Sequence, residues 1–255
     1  MKLKSEQDIE KMRTSGNILA RILHVLHEKA VPGVRLIDLD EHAALLLKEV
    51  GARAAFLGYR PEGARVPYPA HICACLNEVV VHDVPTETVL REGDVLSIDF
   101  GVEYDGYITD AAFTKAIGVV DRRVAKLIKA TRQALEEAIR VCRIGSHMGD
   151  IGWAIEHVVK RAGFTVIDGL TGHGVGFALH EDPVVHNFGE QGTGMLLKEG
   201  MVLAIEPMVS MGAADIRQQK NDSYVTRDAS LSAHFEATVA ITSDGGDVLT
   251  PLVLC

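Results

Sequence analysis

The 255-residue chain contains little of what several protein classes require. Its four cysteines are too few for a disulfide framework at this length, so we expect free, buried thiols and a reducing, cytoplasmic setting. No apolar run approaches the ~20 residues that a membrane-spanning helix needs, and the acidic start predicts no secretory signal. Acidic residues outnumber basic ones, 35 to 26, so the net charge of −9 argues against nucleic acid or an anionic membrane as a partner.

Helical and strand-like patterns occur in blocks along the chain. Helices are predicted from Ser5 to about Lys29 and from about Asp38 to Val50. A loop rich in glycine and proline follows at residues 52–70. Short apolar strands then fill the stretch from Cys73 to Ile117.

The second part of the chain repeats this order. Apolar residues between Val124 and Cys142 predict a helix, and another helix is expected at about Met148–Ala162. Strand-like runs follow at Gly200–Val209, Ser223–Arg227 and His234–Thr242. Helices followed by strands, twice over, indicate an α+β fold in which helices gather on one face of an antiparallel sheet.

No linker of low complexity separates the two blocks, although no sequence identity between them proves a repeat. The length is ample for one substantial core. We therefore expect a single domain over residues 1–255, built of two similar halves at about 1–120 and 121–255.

Acidic residues stand where a buried charge would be costly. Asp99, Glu206 and Glu236 interrupt strongly apolar, strand-like stretches. A buried carboxylate must be neutralised or paired, and several that converge without cations repel one another and raise one another's pKa. Two divalent ions would cancel four such charges. A dinuclear metal site that also includes Asp110 and His173 is therefore the hypothesis to test.

Strand alternation strengthens this hypothesis. On the strand around Asp99, the residues Leu96, Ile98 and Phe100 share the opposite, apolar face. The strands around Glu206 and Glu236 show the same arrangement. The alternative is a face that is simply solvated, which explains any single acid better than a metal does. For three acids on apolar strands the metal site is the better explanation.

Three of the eleven histidines stand out from the rest. His173 lies between glycines in the segment Gly172–Gly176, and glycines permit close approach to other groups. His180 follows seven residues later, and His82 ends an apolar run. Spacing alone gives a structural role the same weight as a catalytic one for each of them.

Seven short motifs, spread over nearly the whole chain, together resemble those of a known protein family. They are NEVVVHDVP at 77–85, SID at 97–99, TD at 109–110, GHGVG at 172–176, HEDP at 180–183, IEPM at 205–208 and FE at 235–236. Together they resemble methionine aminopeptidase in its bacterial type I form. The resemblance implies the "pita-bread" α+β fold with pseudo-twofold halves, which agrees with the repeated order of helices and strands.

The resemblance also implies a ligand set for two divalent metal ions. Asp99 would hold one ion through both oxygens, and His173 with Glu206 would hold the other. Asp110 and Glu236 would bridge the two ions. The donor set suits Mn²⁺, Fe²⁺, Co²⁺ or Zn²⁺ and does not choose between them.

The implied reaction removes the initiator methionine by hydrolysis of the first peptide bond. Glu206 would accept a proton from the attacking water, His180 would hydrogen-bond near the scissile carbonyl, and His82 would contact the amide on the leaving side. The expected partners are the N-termini of nascent polypeptides, and the enzyme would act in the cytoplasm as a monomer. Docking on the ribosome stays open: Lys126, Lys129 and Arg132 could form a basic patch on one helix, although a solvated helix face explains them better.

In the family, aromatic and sulfur-containing residues surround the methionine side chain. The matching positions in this chain are Phe56, Tyr59, Tyr68, Cys73 and Leu179. Leu179 stands where an aromatic is usual, and the segment Asp222–Tyr224 lacks the tryptophan often found nearby. The loop Arg60–Pro67 is several residues longer than in compact members. The strictness of selection for methionine is therefore left open.

Two rival functions are carried forward. The first is an Xaa-Pro aminopeptidase or another hydrolase of the same fold, but those relatives usually carry a large additional N-terminal domain. The second is a non-catalytic binding protein that has lost its metals. That function predicts at least one missing ligand, whereas all five ligand positions are filled here.

Overall fold

The computed structural model describes residues 2–61 and 63–251. The helices in this part of the chain are α1 (Glu6–Lys29), α2 (Leu36–Val50), α3 (Arg122–Val141) and α4 (Met148–Ala162). α1 begins where the Ser5 hydroxyl accepts the Asp8 N–H and the Asp8 carboxylate accepts the Ser5 N–H. α2 begins two residues before the predicted position, because Asp38 likewise reaches back to cap the backbone of Arg35.

The strands of the first half surround one long hairpin. They are β1 (Arg53–Ala54), β2 (Cys73–Leu76), β3 (Val79–Val81), β4 (Val95–Tyr104) and β5 (Tyr107–Ala116). β4 pairs with β5 along its whole length, and β1 and β2 also pair with β4. All of these pairs are antiparallel.

The strands of the second half are shorter and form three groups. They are β6 (Thr165–Val166), β7 (Gly172–Gly174), β8 (Glu181–Val185), β9 (Val202–Ile205), β10 (Met208–Ser210), β11 (Ile216–Gln218), β12 (Tyr224–Thr226), β13 (Ser232–His234), β14 (Ala237–Thr242) and β15 (Gly245–Val248). The antiparallel orders are β15-β14-β9-β7-β8, β13-β10-β6 and β11-β12-β3. The third group joins the two halves, because β3 belongs to the first.

Two predicted strands are interrupted at their acids. The run predicted at Gly200–Val209 splits into β9 and β10, with Glu206 and Pro207 between them. Proline has no N–H to donate to a ladder, and the Glu206 carbonyl is instead satisfied by the Asn187 amide at 2.9 Å. The run predicted at His234–Thr242 splits in the same way, with Glu236 in the gap between β13 and β14.

The apolar faces predicted by alternation do form the core. Leu96, Ile98 and Phe100 of β4 pack in one cluster with Leu19 and Leu23 of α1. The opposite face is covered rather than solvated, so the solvated-face alternative is wrong. The four predicted acidic ligands are between 2% and 9% exposed.

None of the helices in the described part of the chain combines the length and apolar character needed to cross a membrane. The α+β prediction is confirmed by helices that pack on antiparallel sheets. Cys73, Cys75 and Cys142 are buried free thiols, as expected, and Cys255 lies outside the described residues.

A close contact between α1 and the last part of the chain gives a test of this packing. A Cβ atom at Gly16 would lie 2.0 Å from the Leu249 carbonyl oxygen, which is backbone and cannot turn away. We expect Gly16→Ala to lower the free energy of unfolding by about 1–3 kcal/mol in urea denaturation, although alanine favours helix more than glycine does. Thr14→Ala, on the exposed side of α1, is the control. Equal stability of the two variants would contradict this packing.

Candidate metal centre

The β4–β5 hairpin places two of the predicted ligands side by side. Gly101 of β4 pairs with Asp110 of β5, and Asp99 lies two residues from Gly101 on the same face. A Cβ at position 101 would lie 2.8 Å from the Phe56 ring, so only glycine lets this aromatic pack beside the two acids.

Glu236 reaches the same place through a link between the halves of the chain. It forms an isolated antiparallel bridge with Ala112 of β5, in which its N–H donates to the Ala112 carbonyl at 3.0 Å. Two residues on, the Asp110 N–H donates to the Thr238 hydroxyl at 2.9 Å, and that hydroxyl donates to the Asp110 carbonyl at 2.8 Å. The break between β13 and β14 at Glu236 therefore lies next to β5.

His173 and Glu206 approach from the five-stranded sheet. His173 pairs with Ala204 of β9, and its Nε2 lies 3.5 Å from Glu206 Oε1. Its Nδ1 lies 2.9 Å from the Gly174 carbonyl, which favours an N–H there and leaves Nε2 as the free lone pair. A Cβ at Gly172 would lie 2.3 Å from the Ala204 carbonyl oxygen, so the glycine is required for this approach, as the sequence indicated.

The electrostatics of this cluster fit a bound cation. Burial, reinforced by the neighbouring acids, raises the pKa of Asp99 and Glu236 well above the usual range. Burial also raises the pKa of Asp110 to about 7, and it lowers the pKa of His173 to about 3. Asp99 Oδ1 and Glu236 Oε1 have no hydrogen-bond partner among the described residues.

Such unpartnered oxygens beside a free imidazole nitrogen are the donors that a divalent ion takes. Asp110, His173 and Glu236 each offer a ligand atom, and these atoms all lie within 4.8 Å of one another. Glu206 adjoins this group through His173. The donor set therefore fits divalent metal ions.

All twelve residues selected from the sequence line one cavity of about 640 Å³. The predicted pocket residues Phe56, Cys73 and Leu179 form one apolar cluster, with Tyr59 and Tyr68 packed against it. The structure therefore brings the five predicted metal ligands and the predicted methionine pocket into a single space.

The two remaining histidines border this cavity. The Tyr59 hydroxyl lies 2.6 Å from His180 Nδ1, which fixes the orientation of the ring. The His180 ring also lies edge-on to His173, with centroids 4.4 Å apart. His82 adopts a left-handed backbone conformation (φ 65°) and faces Tyr224. Both histidines line the cavity.

Described residues of the loop at 60–67 border the cavity. Pro61, Ala64 and Val66 line the cavity. The Arg65 N–H donates to Asp222 Oδ2 at 3.1 Å, and Arg65 Nε lies 3.6 Å from Oδ1 of the same carboxylate. The loop is thus joined to the segment where a tryptophan was expected.

Two residues at the site were missed from the sequence. His234 is 1% exposed, and its Nε2 lies 3.5 Å from Glu206 Oε2. In the strand predicted at His234–Thr242 this residue shares a face with Glu236, and that pattern was sufficient to select it. Asn187, which holds the Glu206 carbonyl, follows no apolar strand pattern and gave no signal.

Comparison with known proteins gives the family of the chain. The family described as "Metallopeptidase family M24" matches residues 10–243. The methionine aminopeptidase of Clostridium acetobutylicum is 42% identical over 250 residues, which cover 97% of this chain and 98% of the relative. That of Aquifex aeolicus is 43% identical over 258 residues, covering 99% of both chains.

Solved structures give the same result. The crystal structure of methionine aminopeptidase from Thermotoga maritima has a TM-score of 0.93 and 39% identity, and covers 98% of this chain and 99% of its own. The prolidase from Pyrococcus horikoshii is 21% identical and covers 98% of this chain but 63% of its own, with a TM-score of 0.77, so it shares the fold alone. These structures confirm the pita-bread fold. The chain belongs to metallopeptidase family M24 and, within it, to the methionine aminopeptidases.

Proposed function

We propose that the chain is a metal-dependent aminopeptidase that removes the N-terminal methionine of nascent polypeptides by hydrolysing the first peptide bond. One observation carries the proposal: the five predicted metal ligands, two histidines and an apolar pocket meet in one cavity. The relatives that cover nearly the whole chain are methionine aminopeptidases. The likeness to prolidase is one of fold, and no ligand position is lost, so neither rival function is favoured.

The proposal assigns the metal ligands as follows. Asp99 would hold one divalent ion, His173 and Glu206 would hold a second, and Asp110 and Glu236 would serve both. A bridging role suits Asp110 and Glu236, since they share a group of ligand atoms with His173. When bound, two such ions polarise a carbonyl group and lower the pKa of a water molecule. Mn²⁺, Fe²⁺, Co²⁺ and Zn²⁺ all suit this donor set.

The side chains around the ions would divide the remaining work. Glu206 would accept the proton of the attacking water, because its carboxylate borders both the cavity and His173. His180, held by Tyr59, would donate a hydrogen bond to the scissile carbonyl oxygen. His82 would contact the amide on the leaving side. Leu179, Phe56 and Cys73 would hold the methionine side chain.

We further propose that residues 1–255 act as one catalytic domain in the cytoplasm, as a monomer. Asp99 and Asp110 come from the first half, whereas His173, Glu206 and Glu236 come from the second. Neither half alone holds the full ligand set. The buried free thiols agree with a reducing compartment.

Peptide hydrolysis tests the function directly. Apoprotein reloaded with Mn²⁺, Fe²⁺, Co²⁺ or Zn²⁺ would be assayed on Met-Ala-Ser, Leu-Ala-Ser and Ala-Pro-Ala. We expect Met-Ala-Ser to be cleaved fastest, with a preference over Leu-Ala-Ser of about 10-fold, because side chains of similar size differ little in an apolar pocket. Cleavage of the proline peptide alone would favour the Xaa-Pro function. Absence of hydrolysis with every metal would favour a binding protein.

Asp110→Asn tests the bridging ligand. It keeps the size of the side chain but removes the charge that would serve two cations. We expect fewer than two ions per chain by elemental analysis, at least ~100-fold weaker binding at one site, and loss of turnover. The control is Asp105→Asn, in the exposed turn of the same hairpin. Full metal content with a normal rate would refute the role of Asp110.

His82→Asn tests a residue that would contact substrate but no metal. Asparagine adopts the left-handed conformation with little strain, so the backbone is preserved. We expect both metals to be retained while kcat falls on the order of 100-fold, the effect of losing a positioned hydrogen-bonding group. His24→Ala, exposed on α1, is the control. Unchanged kinetics would remove His82 from the site.

A further inference from the structure

A buried imidazole lies beside Glu206 and has no hydrogen-bond partner among the described residues. His234, the last residue of β13, is 1% exposed. Neither of its ring nitrogens makes a hydrogen bond to the described part of the chain. A buried polar atom without a partner costs about 1–3 kcal/mol, so two on one ring call for an explanation.

The backbone of His234 is fixed in place. Its N–H donates to the Thr114 hydroxyl at 2.8 Å, and that hydroxyl donates to the His234 carbonyl at 2.7 Å. Thr114 belongs to β5, the strand of Asp110, and it also contacts Ser97 of β4 at 2.8 Å. On its other side His234 pairs with Met208 of β10. The hairpin that carries two predicted ligands therefore also holds the imidazole.

The ring approaches one specific carboxylate. His234 Nε2 lies 3.5 Å from Glu206 Oε2, while His173 Nε2 lies 3.5 Å from Glu206 Oε1. Two imidazoles therefore flank Glu206, one at each oxygen. They are not equivalent, because His173 lines the cavity and shares a group of ligand atoms with Asp110 and Glu236. His234 is not among the described residues that line the cavity, nor among those that form this group of ligand atoms.

We propose that His234 is a positioning residue for Glu206, whose Oε2 accepts the Nε2–H of His234 so that Oε1 stays turned toward His173 and the metal centre. The proposal rests on the proposed function, in which Glu206 holds an ion and accepts a proton. An imidazole carries at least one ring N–H in every protonation state. His234 Nε2 and Glu206 Oε2 lie 3.5 Å apart, so a shift of about 0.5 Å would bring them to hydrogen-bond length.

A donor of this kind would act on Glu206 in two ways. It would remove rotational freedom from a carboxylate that must present one chosen oxygen to an ion. It would also occupy Oε2, the oxygen that is not the one beside His173. Partners that hold a metal ligand from behind typically change metal affinity by 10- to 100-fold when they are removed.

Two variants of the full chain distinguish a hydrogen bond donated to Glu206 from simple filling of the site at position 234. His234→Leu fills the site but cannot donate, whereas His234→Gln retains an N–H donor. We expect titration calorimetry with Mn²⁺ to show two sites in the unmodified protein, and one of them weakened 10- to 100-fold in the Leu variant. The Gln variant is expected to stay within about threefold of the unmodified protein. With Met-Ala-Ser, the Leu variant is expected to lose kcat while KM is unchanged.

The outcomes are distinct. Failure of the unmodified protein to bind two ions would overturn the proposed metal centre and this inference with it. Normal binding by the Leu variant would overturn only the role of His234. An equal loss of Mn²⁺ affinity in both variants would contradict hydrogen-bond donation by His234. It would indicate that the imidazole ring itself binds metal. Thermal unfolding of the metal-free variants checks that each is folded.

Nuclear magnetic resonance tests the same point without a substitution. In long-range ¹H–¹⁵N spectra of the unmodified protein, we expect His234 Nε2 to be protonated both before and after Zn²⁺ is added. His173 Nε2 is expected to shift to the range of a metal-bound nitrogen. An unprotonated or metal-bound Nε2 on His234 would overturn the proposal.

Discussion

The repulsion among four buried carboxylates is the constraint on which the centre of this structure depends. Asp99, Asp110, Glu206 and Glu236 are each at least nine-tenths hidden from solvent, and burial raises the pKa of all four. A protein gains no stability from such a cluster by itself, because each charge must be neutralised or balanced. Divalent cations would balance the charges, and bound metal would then contribute to the stability of the interior.

The scaffold holds the acids together through backbone rather than through side-chain ion pairs. The β4–β5 hairpin carries two of them, and the bridge between Ala112 and Glu236 brings in the third. Two hydrogen bonds between Asp110 and Thr238, one donated by each residue, hold β5 and β14 together beside this bridge. Because these bonds join the halves of the chain, a change at the junction would disturb ligands from both.

Much of this site could be predicted because buried strands have a recognisable apolar pattern in the sequence. An acid in an apolar strand is rare enough that Asp99 identified its own strand and face. Glu206 and Glu236 were also found, but the strands around them were predicted as continuous, since a break is a property of the pairing and not of the local pattern. The contact between Arg65 and Asp222 joins residues 157 positions apart, and no local signal reports such a pair.

The side of the cavity with the predicted metal ligands is held more firmly than the side with the loop at residues 60–67. Metal binding and substrate selection can therefore change independently. The metal side is backbone-paired and buried. The loop at residues 60–67 is joined to Asp222 through Arg65, whose side chain is 63% exposed, and an exposed ion pair contributes at most ~1 kcal/mol. Substitutions in this loop can therefore reshape the cavity mouth at little cost to stability, while the ligands stay in place. The departures from the family expected at this loop and near Asp222 both lie on this side, whereas Leu179 is buried in the apolar cluster of the pocket.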